Sequence, residues 1–392
     1  GMVALFAPHA ALIAELAGYP KAGEKFLKDT LIQYRQIGPN LTRLLGEFYE
    51  RTNQTAKAKA IYLNYIEASP NSTMFNYSLK RANASQRKKL PKLSITSGIA
   101  EALFGLSTSL RRQNPHHAII YARLAIFVNP EFSFAKLRLA DELTREDRLH
   151  EALATYKNIS RDPVYGWTAR LRTARTYNFL DKTNEATRIL KDMAKEKKDR
   201  VGALVNLGTM YRNRMRYQDA VNSFEKAKKR IKFWKKQHWK LLYGNAACLE
   251  RLKRWSAAEK DFLKALKLNP NEPSILNYLG YSWIEQGQHI DRAHKMIETA
   301  VKKRPQAAHI VDSLGWVQFK LGDMVAAVKN LERAALLMPA DPTINDHLGD
   351  AYWKVGRKLE ARFQWQKTLS LEPEKDLIPT IKKKITKGLP DT

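Results

Sequence analysis

The sequence predicts an all-α fold, a right-handed superhelical solenoid of tandem helix-turn-helix repeats. Three observations support this prediction: one alanine recurs at a nearly constant interval, every repeat carries two stretches of helical periodicity, and no stretch alternates as a β-strand does. The interval is 34, 34, 34, 38, 35, 34 and 34 residues between successive members of the set. The set is Ala118, Ala152, Ala186, Ala220, Ala258, Ala293, Ala327 and Ala361. Such regularity indicates repeats that stack on their neighbours in one core.

The last full repeat, residues 342–373, shows why each helix is expected. Ile344, Leu348 and Tyr352 fall four residues apart, which places them on one face of a first helix. Gly356 follows and can end that helix. A second helix is expected from about residue 359 to 371, and Pro373 stops it because proline cannot continue a helix.

The repeat divides the chain into four parts. Residues 3–72 hold two N-terminal repeats, and residues 99–373 hold eight more. Between them, residues 73–98 are polar and basic, which favours a loop with a short helix. Residues 374–392 are expected to form a C-terminal capping helix and a tail.

Composition limits the choice of partner without selecting one. The formal charge is +29, from 68 Lys and Arg against 39 Asp and Glu, which favours anionic proteins, nucleic acid, lipid headgroups or wall polymers. Cys248 is the only cysteine, so an internal disulfide or a cysteine metal cluster is excluded. Gly1 precedes Met2, which suggests that the native start is absent. The sequence therefore does not show whether a signal peptide or lipid anchor preceded it.

Catalytic motifs are absent from the sequence. It contains no glycine-rich phosphate loop, no H-E-x-x-H and no G-x-S-x-G. Asp346 and Asp350 share a helix face beside His347, but this trio is weak evidence for acid–base or metal chemistry. We therefore expect a protein that is not an enzyme, with no catalytic residues, no metal and no cofactor.

The repeat resembles the tetratricopeptide repeat, whose pattern has Leu-Gly at positions 7–8, an aromatic at 11, alanine at 20, a large apolar residue at 24 and proline at 32. The matching residues here are Leu348, Gly349, Tyr352, Ala361, Trp365 and Pro373. The resemblance implies a scaffold that binds other proteins or peptides in a concave groove, lined by positions 2, 5, 9 and 12 of each first helix.

Applied to this chain, those positions give an apolar stripe, a basic zone and an aromatic and acidic zone. The stripe is Leu103, Phe134, Leu137 and Leu171. The basic zone is Arg138, Arg172, Arg175 and Arg212. The third zone is Tyr278, Tyr281, His309, Asp312, Trp316, Asp346, His347, Asp350 and Trp353. Trp316 is interpreted either as an exposed anchor for a partner or as packing between repeats. The arginines either bind a partner or balance acids on neighbouring helices.

A second candidate surface coincides with the one 38-residue interval. Its four extra residues, about one helical turn, fall in "KAKKRIKFWKKQHWK", residues 226–240, with eight basic residues and no acid. The candidate contacts are Lys228, Lys229, Arg230, Lys232, Trp234, Lys235 and Lys236. Charge with aromatics suits single-stranded nucleic acid, an anionic membrane or an acidic protein. The alternative is an extended helix with buried aromatics and solvated lysines.

A narrower resemblance rests on "LNYLGYSWIEQG", "HIVDSLGWVQFKLG" and the final repeat. These look like tetratricopeptide proteins of the alphaproteobacterial cell envelope, including the outer-membrane adaptor lipoprotein of a carboxyl-terminal processing protease. The resemblance implies an envelope adaptor that binds the protease and cell-wall hydrolases. A scaffold for lipopolysaccharide or pilus assembly, a nucleic-acid-associated protein and a cytoplasmic location remain alternatives.

Overall fold

The computed structural model describes residues 2–33, 38–69, 72, 74–84, 89–159 and 161–390. These residues form helices and connecting turns, with no β-strand among them. The chain divides into two compact units, residues 1–210 and 211–392, which we call the N-terminal and C-terminal units. The prediction of an all-α fold built from tandem helical hairpins is confirmed.

The N-terminal unit is built from eleven helices and the greater part of a twelfth, whose last residues belong to the C-terminal unit. They are α1 (Met2–Leu16), α2 (Pro20–Gln33), α3 (Pro39–Arg51), α4 (Thr55–Ala68), α5 (Asn76–Asn83), α6 (Ile95–Leu110), α7 (Pro115–Val128), α8 (Ser133–Arg145), α9 (Leu149–Lys157), α10 (Gly166–Phe179), α11 (Thr183–Glu196) and α12 (Gly202–Asn213).

The C-terminal unit continues with ten helices and one short 3₁₀ turn, Lys236–His238. The helices are α13 (Tyr217–Arg230), α14 (Trp239–Arg251), α15 (Trp255–Leu268), α16 (Pro273–Glu285), α17 (Ile290–Lys303), α18 (Ala308–Lys320), α19 (Met324–Leu337), α20 (Pro342–Lys354), α21 (Lys358–Ser370) and α22 (Ile378–Lys387). The last of these, α22, lies in the region where the sequence suggested a capping helix.

Small residues let the two helices of a hairpin approach each other closely. All eight recurring alanines are buried, with at most 2% of their surface exposed. A Cβ at Gly46 would collide with the ring of Tyr62, and one at Gly349 would collide with the indole of Trp365. The spacing of small residues in the sequence therefore records where helices cross.

The turns inside the hairpins share one backbone feature. In nine hairpins the second residue after the first helix has a positive φ, the left-handed conformation that favours glycine. These residues are Gly18, Asn53, Asp147, Asp181, Met215, Lys253, Gly287, Gly322 and Gly356. Gly356 thus ends α20 as the sequence suggested.

Residues 73–98 are more structured than a polar loop. Helix α5 occupies part of this stretch, and Met74, Phe75 and Ala82 are buried in the core of the N-terminal unit. The ring of Phe75 stacks on Tyr62 with the centroids 5.6 Å apart. Residues 73 and 85–88 lie outside the described residues, as does Pro70 of the preceding repeat.

The four extra residues of the long interval do not extend a helix by one turn. Helix α13 ends at Arg230, and Ile231 leaves it in an extended conformation with φ −84° and ψ 107°. Residues 231–235 are non-helical, and α14 begins at Trp239 after the 3₁₀ turn. The interpretation as one extended helix is therefore wrong, because the segment is a connection between two hairpins.

Candidate partner-binding surfaces

Trp316 is packed between repeats and is not an exposed anchor. It is 9% exposed, and its ring stacks on His347 at a centroid distance of 4.0 Å and on Phe319 at 5.0 Å. Its indole nitrogen donates to Glu285 at 2.7 Å. Of the two interpretations from sequence, packing is therefore the one that the geometry favours.

His347 joins this stack to a buried carboxylate. Its Nδ1 lies 2.9 Å from Oδ1 of Asp312, and both side chains are buried. Burial disfavours the charged imidazolium, but the negative charge of Asp312 and the contact with it outweigh burial, so the pKa of His347 is raised. Asp312 is thus an internal partner of His347, not a solvent-facing groove residue.

The acidic pair of the last repeat lies beneath the C-terminal helix. Lys384 of α22 places its ammonium 2.8 Å from Asp346 and 2.8 Å from Asp350. The indole of Trp365 also donates to Asp350 at 2.9 Å. Burial raises the pKa of Asp350, against the opposing effect of Lys384. We call Lys384, Asp346 and Asp350 the Lys384 cluster.

The other residues of the aromatic and acidic zone differ in how far they are exposed to solvent. Gly388, which follows α22, packs so closely on Trp353 that a Cβ would overlap the indole. Tyr278 stacks on Phe262, and its hydroxyl donates to Glu250 at 3.0 Å. Tyr281 is half-buried, whereas His309 is exposed. The zone predicted as one groove is therefore largely closed by the protein itself.

The basic zone is partly an internal charge balance. Arg138 and Arg172 both pair with Asp141, at 2.9 and 2.6 Å. Arg175 is exposed, and its guanidinium lies 5.2 Å from the ring of Phe179. Arg212 is half-buried and approaches α14 at Gly244. Two of the four arginines thus balance an acid, as one interpretation held.

The apolar stripe is covered where it crosses α8. Phe134 and Leu137 are fully buried. Arg43 of α3 lies over Phe134 and over Phe132, with its guanidinium carbon 4.9 and 5.0 Å from the two ring centroids. A cation over an aromatic face is attracted by the quadrupole of the ring. Arg43, from an N-terminal hairpin, thus covers part of the apolar stripe.

Arg43 also forms two ion pairs, although it is only 3% exposed. Its guanidinium lies 2.6 Å from Glu101 of α6 and 2.9 Å from Glu47 of its own helix. Burial raises the pKa of Glu101 and Arg43 opposes that shift. We call Arg43, Glu47 and Glu101 the Arg43 cluster.

An open cleft of about 360 Å³ lies beside the Arg43 cluster. We call it the N-terminal cleft. Its walls are Arg43, Glu47, Arg51, Leu90, Pro91, Lys92, Leu93, Ser97, Glu101, Asn129, Glu131, Phe132, Ser133, Phe134, Asp162 and Tyr165. Lys92 and Glu131 are exposed at its edge. Sequence reasoning missed the cleft, although groove positions 5 and 9 of the repeat starting at residue 39 are Arg43 and Glu47.

The basic segment 226–240 separates into a buried and an exposed part. Lys228 belongs to a polar network, because its ammonium lies 2.8 Å from both Glu225 and Asp261. Asn245 donates to the same two carboxylates at 2.7 Å. Lys228 is therefore an internal partner and not part of a surface patch.

The other members of the basic segment lie at the surface. Lys229, Lys232, Lys235 and Lys236 are exposed, whereas Arg230 is half-buried. Trp234 is half-buried, with the ammonium of Lys264 3.6 Å from its ring centroid.

Part of this array of hairpins is similar to a known repeat family. Models of the tetratricopeptide repeat match residues 44–72, 205–273 and 279–343. The prediction that the chain contains such repeats is confirmed. Repeats of this class generally bind other proteins or peptides and generally act as non-catalytic scaffolds.

A TPR repeat-containing protein of Pseudomonas aeruginosa is 30% identical to this chain over 110 residues. The match covers 28% of this chain, and it spans only 18% of the length of that relative.

Two solved structures share the fold. A tetratricopeptide repeat protein from Parabacteroides merdae has a TM-score of 0.50 at 15% identity, covering 64% of this chain and 96% of its own. The APC/C hetero-tetramer Cut9–Hcn1 contains a chain with a TM-score of 0.54 at 14% identity, covering 97% of this chain and 84% of its own. At these identities the likeness concerns the fold alone.

Membrane-spanning helices and metal-binding clusters are both absent from the described residues. No helix there is both long and apolar enough to cross a membrane. No group of three or more His, Cys, Asp or Glu side chains in the same residues is placed to hold a metal ion.

Proposed function

We propose that the protein is a non-catalytic scaffold whose N-terminal cleft binds an extended segment of a partner protein. The observation that carries this proposal is the cleft itself. It lies at groove positions of two repeats, occupied by Arg43, Glu47 and Phe134, and it holds about 360 Å³. Aromatic side chains below charged edges combine apolar contact with polar orientation, as ligand pockets generally do.

The edge of the cleft allows a test that spares the core. Exchanging the charges with Lys92→Glu and Glu131→Lys keeps the net charge and changes only exposed side chains. The matched control is Lys198→Glu with Asp199→Lys, a second exposed pair in the same unit. Each protein serves as bait in a nuclease-treated lysate of the source organism at physiological salt.

A partner retained by wild type and by the control, but lost by the cleft variant, would support the proposal. Equal retention by all three baits would place binding elsewhere. Since the scaffold is basic, ribosomal proteins captured equally by every bait would count against a specific client at the cleft.

Within this role we propose an adaptor of the bacterial envelope that brings cell-wall hydrolases to a carboxyl-terminal processing protease. The support is the resemblance of residues 99–373 to envelope proteins of that kind. The purified protease should degrade a labelled hydrolase several-fold faster when the scaffold is added. An unchanged rate would exclude this role while leaving the general scaffold intact, for example in lipopolysaccharide or pilus assembly.

A further inference from the structure

Residues 231–238 connect α13 to α14 and place one aromatic side chain against the protein and its neighbour in solvent. Trp234 is half-buried against Lys264, and its ring meets His238 edge-on at 5.7 Å. Phe233, immediately before it, is 79% exposed. The backbone bends at Lys232 and Phe233. Trp234 is thus held against Lys264 of α15 while Phe233 faces solvent.

The chain around Phe233 carries a dense positive charge. Six lysines of residues 226–240 are exposed, and none of them lies within 4.0 Å of a carboxylate among the described residues. They are Lys226, Lys229, Lys232, Lys235, Lys236 and Lys240. Glu225 and Asp261, acids of the adjoining helices, are already held by Lys228 and Asn245. The exposed lysines thus keep their charge available for an external anion.

The aromatic geometry distinguishes between two anionic partners. Single-stranded nucleic acid binds on several free aromatic faces that stack successive bases. Here one face of Trp234 is occupied by Lys264, while Trp239 lies edge-on to Tyr243 at 6.1 Å with Lys240 near its ring. Phe233 is the single strongly exposed ring in the segment. One apolar side chain surrounded by lysines fits a bilayer, where the ring enters the interface and the ammonium groups contact anionic headgroups.

We propose that residues 226–240 dock the scaffold on the surface of an anionic phospholipid bilayer, with Phe233 inserted at the interface and the exposed lysines on the headgroups. This inference does not depend on the N-terminal cleft or on the identity of a client. It implies peripheral attachment, which adds to any other means of holding the protein at a membrane.

The test is sedimentation of the full chain with vesicles of phosphatidylcholine alone or with roughly one-third phosphatidylglycerol. A chain of charge +29 is attracted to any anionic surface, so every variant needs a matched control. Phe233→Ser should lower the partition coefficient on anionic vesicles about tenfold, whereas Phe127→Ser, at a ring 82% exposed in the other unit, should leave it unchanged.

Replacing three lysines together extends the comparison. Lys232→Gln, Lys235→Gln and Lys236→Gln should lower binding about a hundredfold. Equal charge removal at exposed positions elsewhere, Lys302→Gln, Lys303→Gln and Lys329→Gln, should lower it far less. Equal losses in the two triple variants would overturn the proposal, because they would show attraction by net charge alone.

A fluorescent probe reports whether the segment itself meets lipid. Cys248 is fully buried, and burial raises its pKa to about 11, so an environment-sensitive label on Lys235→Cys reacts selectively there. The emission should shift to shorter wavelength on anionic vesicles. An unshifted emission from vesicle-bound protein would overturn the proposal. So would loss of oligothymidylate binding in the triple lysine variant with vesicle binding unchanged, which would assign the surface to nucleic acid.

Discussion

The N-terminal and C-terminal units each cover predicted groove residues with one cation that neutralises two carboxylates. In the N-terminal unit Arg43 projects from α3, the first helix of the second hairpin, and also lies over two aromatic rings. In the C-terminal unit Lys384 projects from α22, a ten-residue terminal helix. The same electrostatic arrangement is therefore part of the core in one unit and part of a removable cap in the other.

This difference determines whether the covered groove residues of each unit can become exposed. Removing Arg43 from its partners requires the N-terminal core to open, so that surface is fixed and only the adjoining cleft is available. Lys384 can leave Asp346 and Asp350 if α22 alone detaches. Helix α22 has one buried residue, Ile381, and elements with few buried contacts open at lower free energy than core helices. Substitutions in the two units test this contrast, from the largest expected effect to the smallest.

Arg43→Ala should lower the free energy of unfolding of the N-terminal unit by about 4 kcal/mol. The substitution leaves Glu101 and Glu47 without their cation in a buried site, which is the costly way to break an ion pair. Urea unfolding followed by circular dichroism measures the effect. Arg148→Ala, in an exposed ion pair with Glu151, should leave the curve unchanged; similar losses in both variants would contradict the assigned core role.

Trp316→Ala should lower the stability of the C-terminal unit by about 3 kcal/mol, since it removes a buried ring stacked between His347 and Phe319. Thermal unfolding measures the change. Tyr281→Ala, at a half-buried predicted groove residue, is the comparison and should cost less. If Trp316→Ala folds with wild-type stability yet loses a protein partner, the exposed-anchor interpretation is right after all.

Lys384→Ala should lower the stability of α22 and the last repeat by about 2 kcal/mol, because it leaves two acids facing each other. Hydrogen exchange should rise in α22 and α20 first, while the N-terminal unit stays protected. Lys383→Ala, at the exposed neighbouring position, provides the control. Uniform deprotection of the whole chain would show that α22 is not an independently opening cap.

The smallest effect is a pH dependence confined to the C-terminal unit. The folded-state pKa of His347 is raised, so its stabilising contact with Asp312 is fully present below the unfolded pKa of about 6.5. That contribution is lost as pH rises through the folded pKa. Wild type should therefore lose stability relative to His347→Gln between mildly acidic and alkaline pH. Parallel stability curves for the two proteins would exclude the effect.

The repeats were readable from sequence because their causes are local. Ala220 or Gly349 must be small wherever two helices cross, and the 34-residue interval repeats that requirement along the chain. The charge clusters could not be predicted from the sequence, because their members are far apart along the chain. Arg43 and Glu101 are separated by 58 residues, and Lys384 and Asp350 by 34. Periodicity predicts which face a residue occupies, but not which distant charge covers that face.

The basic segment, residues 226–240, shows a second limit of prediction from sequence. Its charge and aromatics can be read from the sequence. The division between Lys228, held by Asp261, and the exposed lysines around Phe233 cannot. That division depends on where α13 ends. Helix ends are set by tertiary contacts, such as Trp234 with Lys264, as much as by local preference.

The left-handed residue in nine hairpin turns offers a route to engineering that leaves the cleft, the charge clusters and the basic segment untouched. Four turns place Asp147, Asp181, Met215 and Lys253 in a conformation that costs a side-chain-bearing residue about 1 kcal/mol relative to glycine. Gly322 and Gly356 show that the same turn accepts glycine. Glycine at all four positions would raise thermal tolerance in small, nearly additive steps. The gain would come from relieved backbone strain in the turns and not from a new contact.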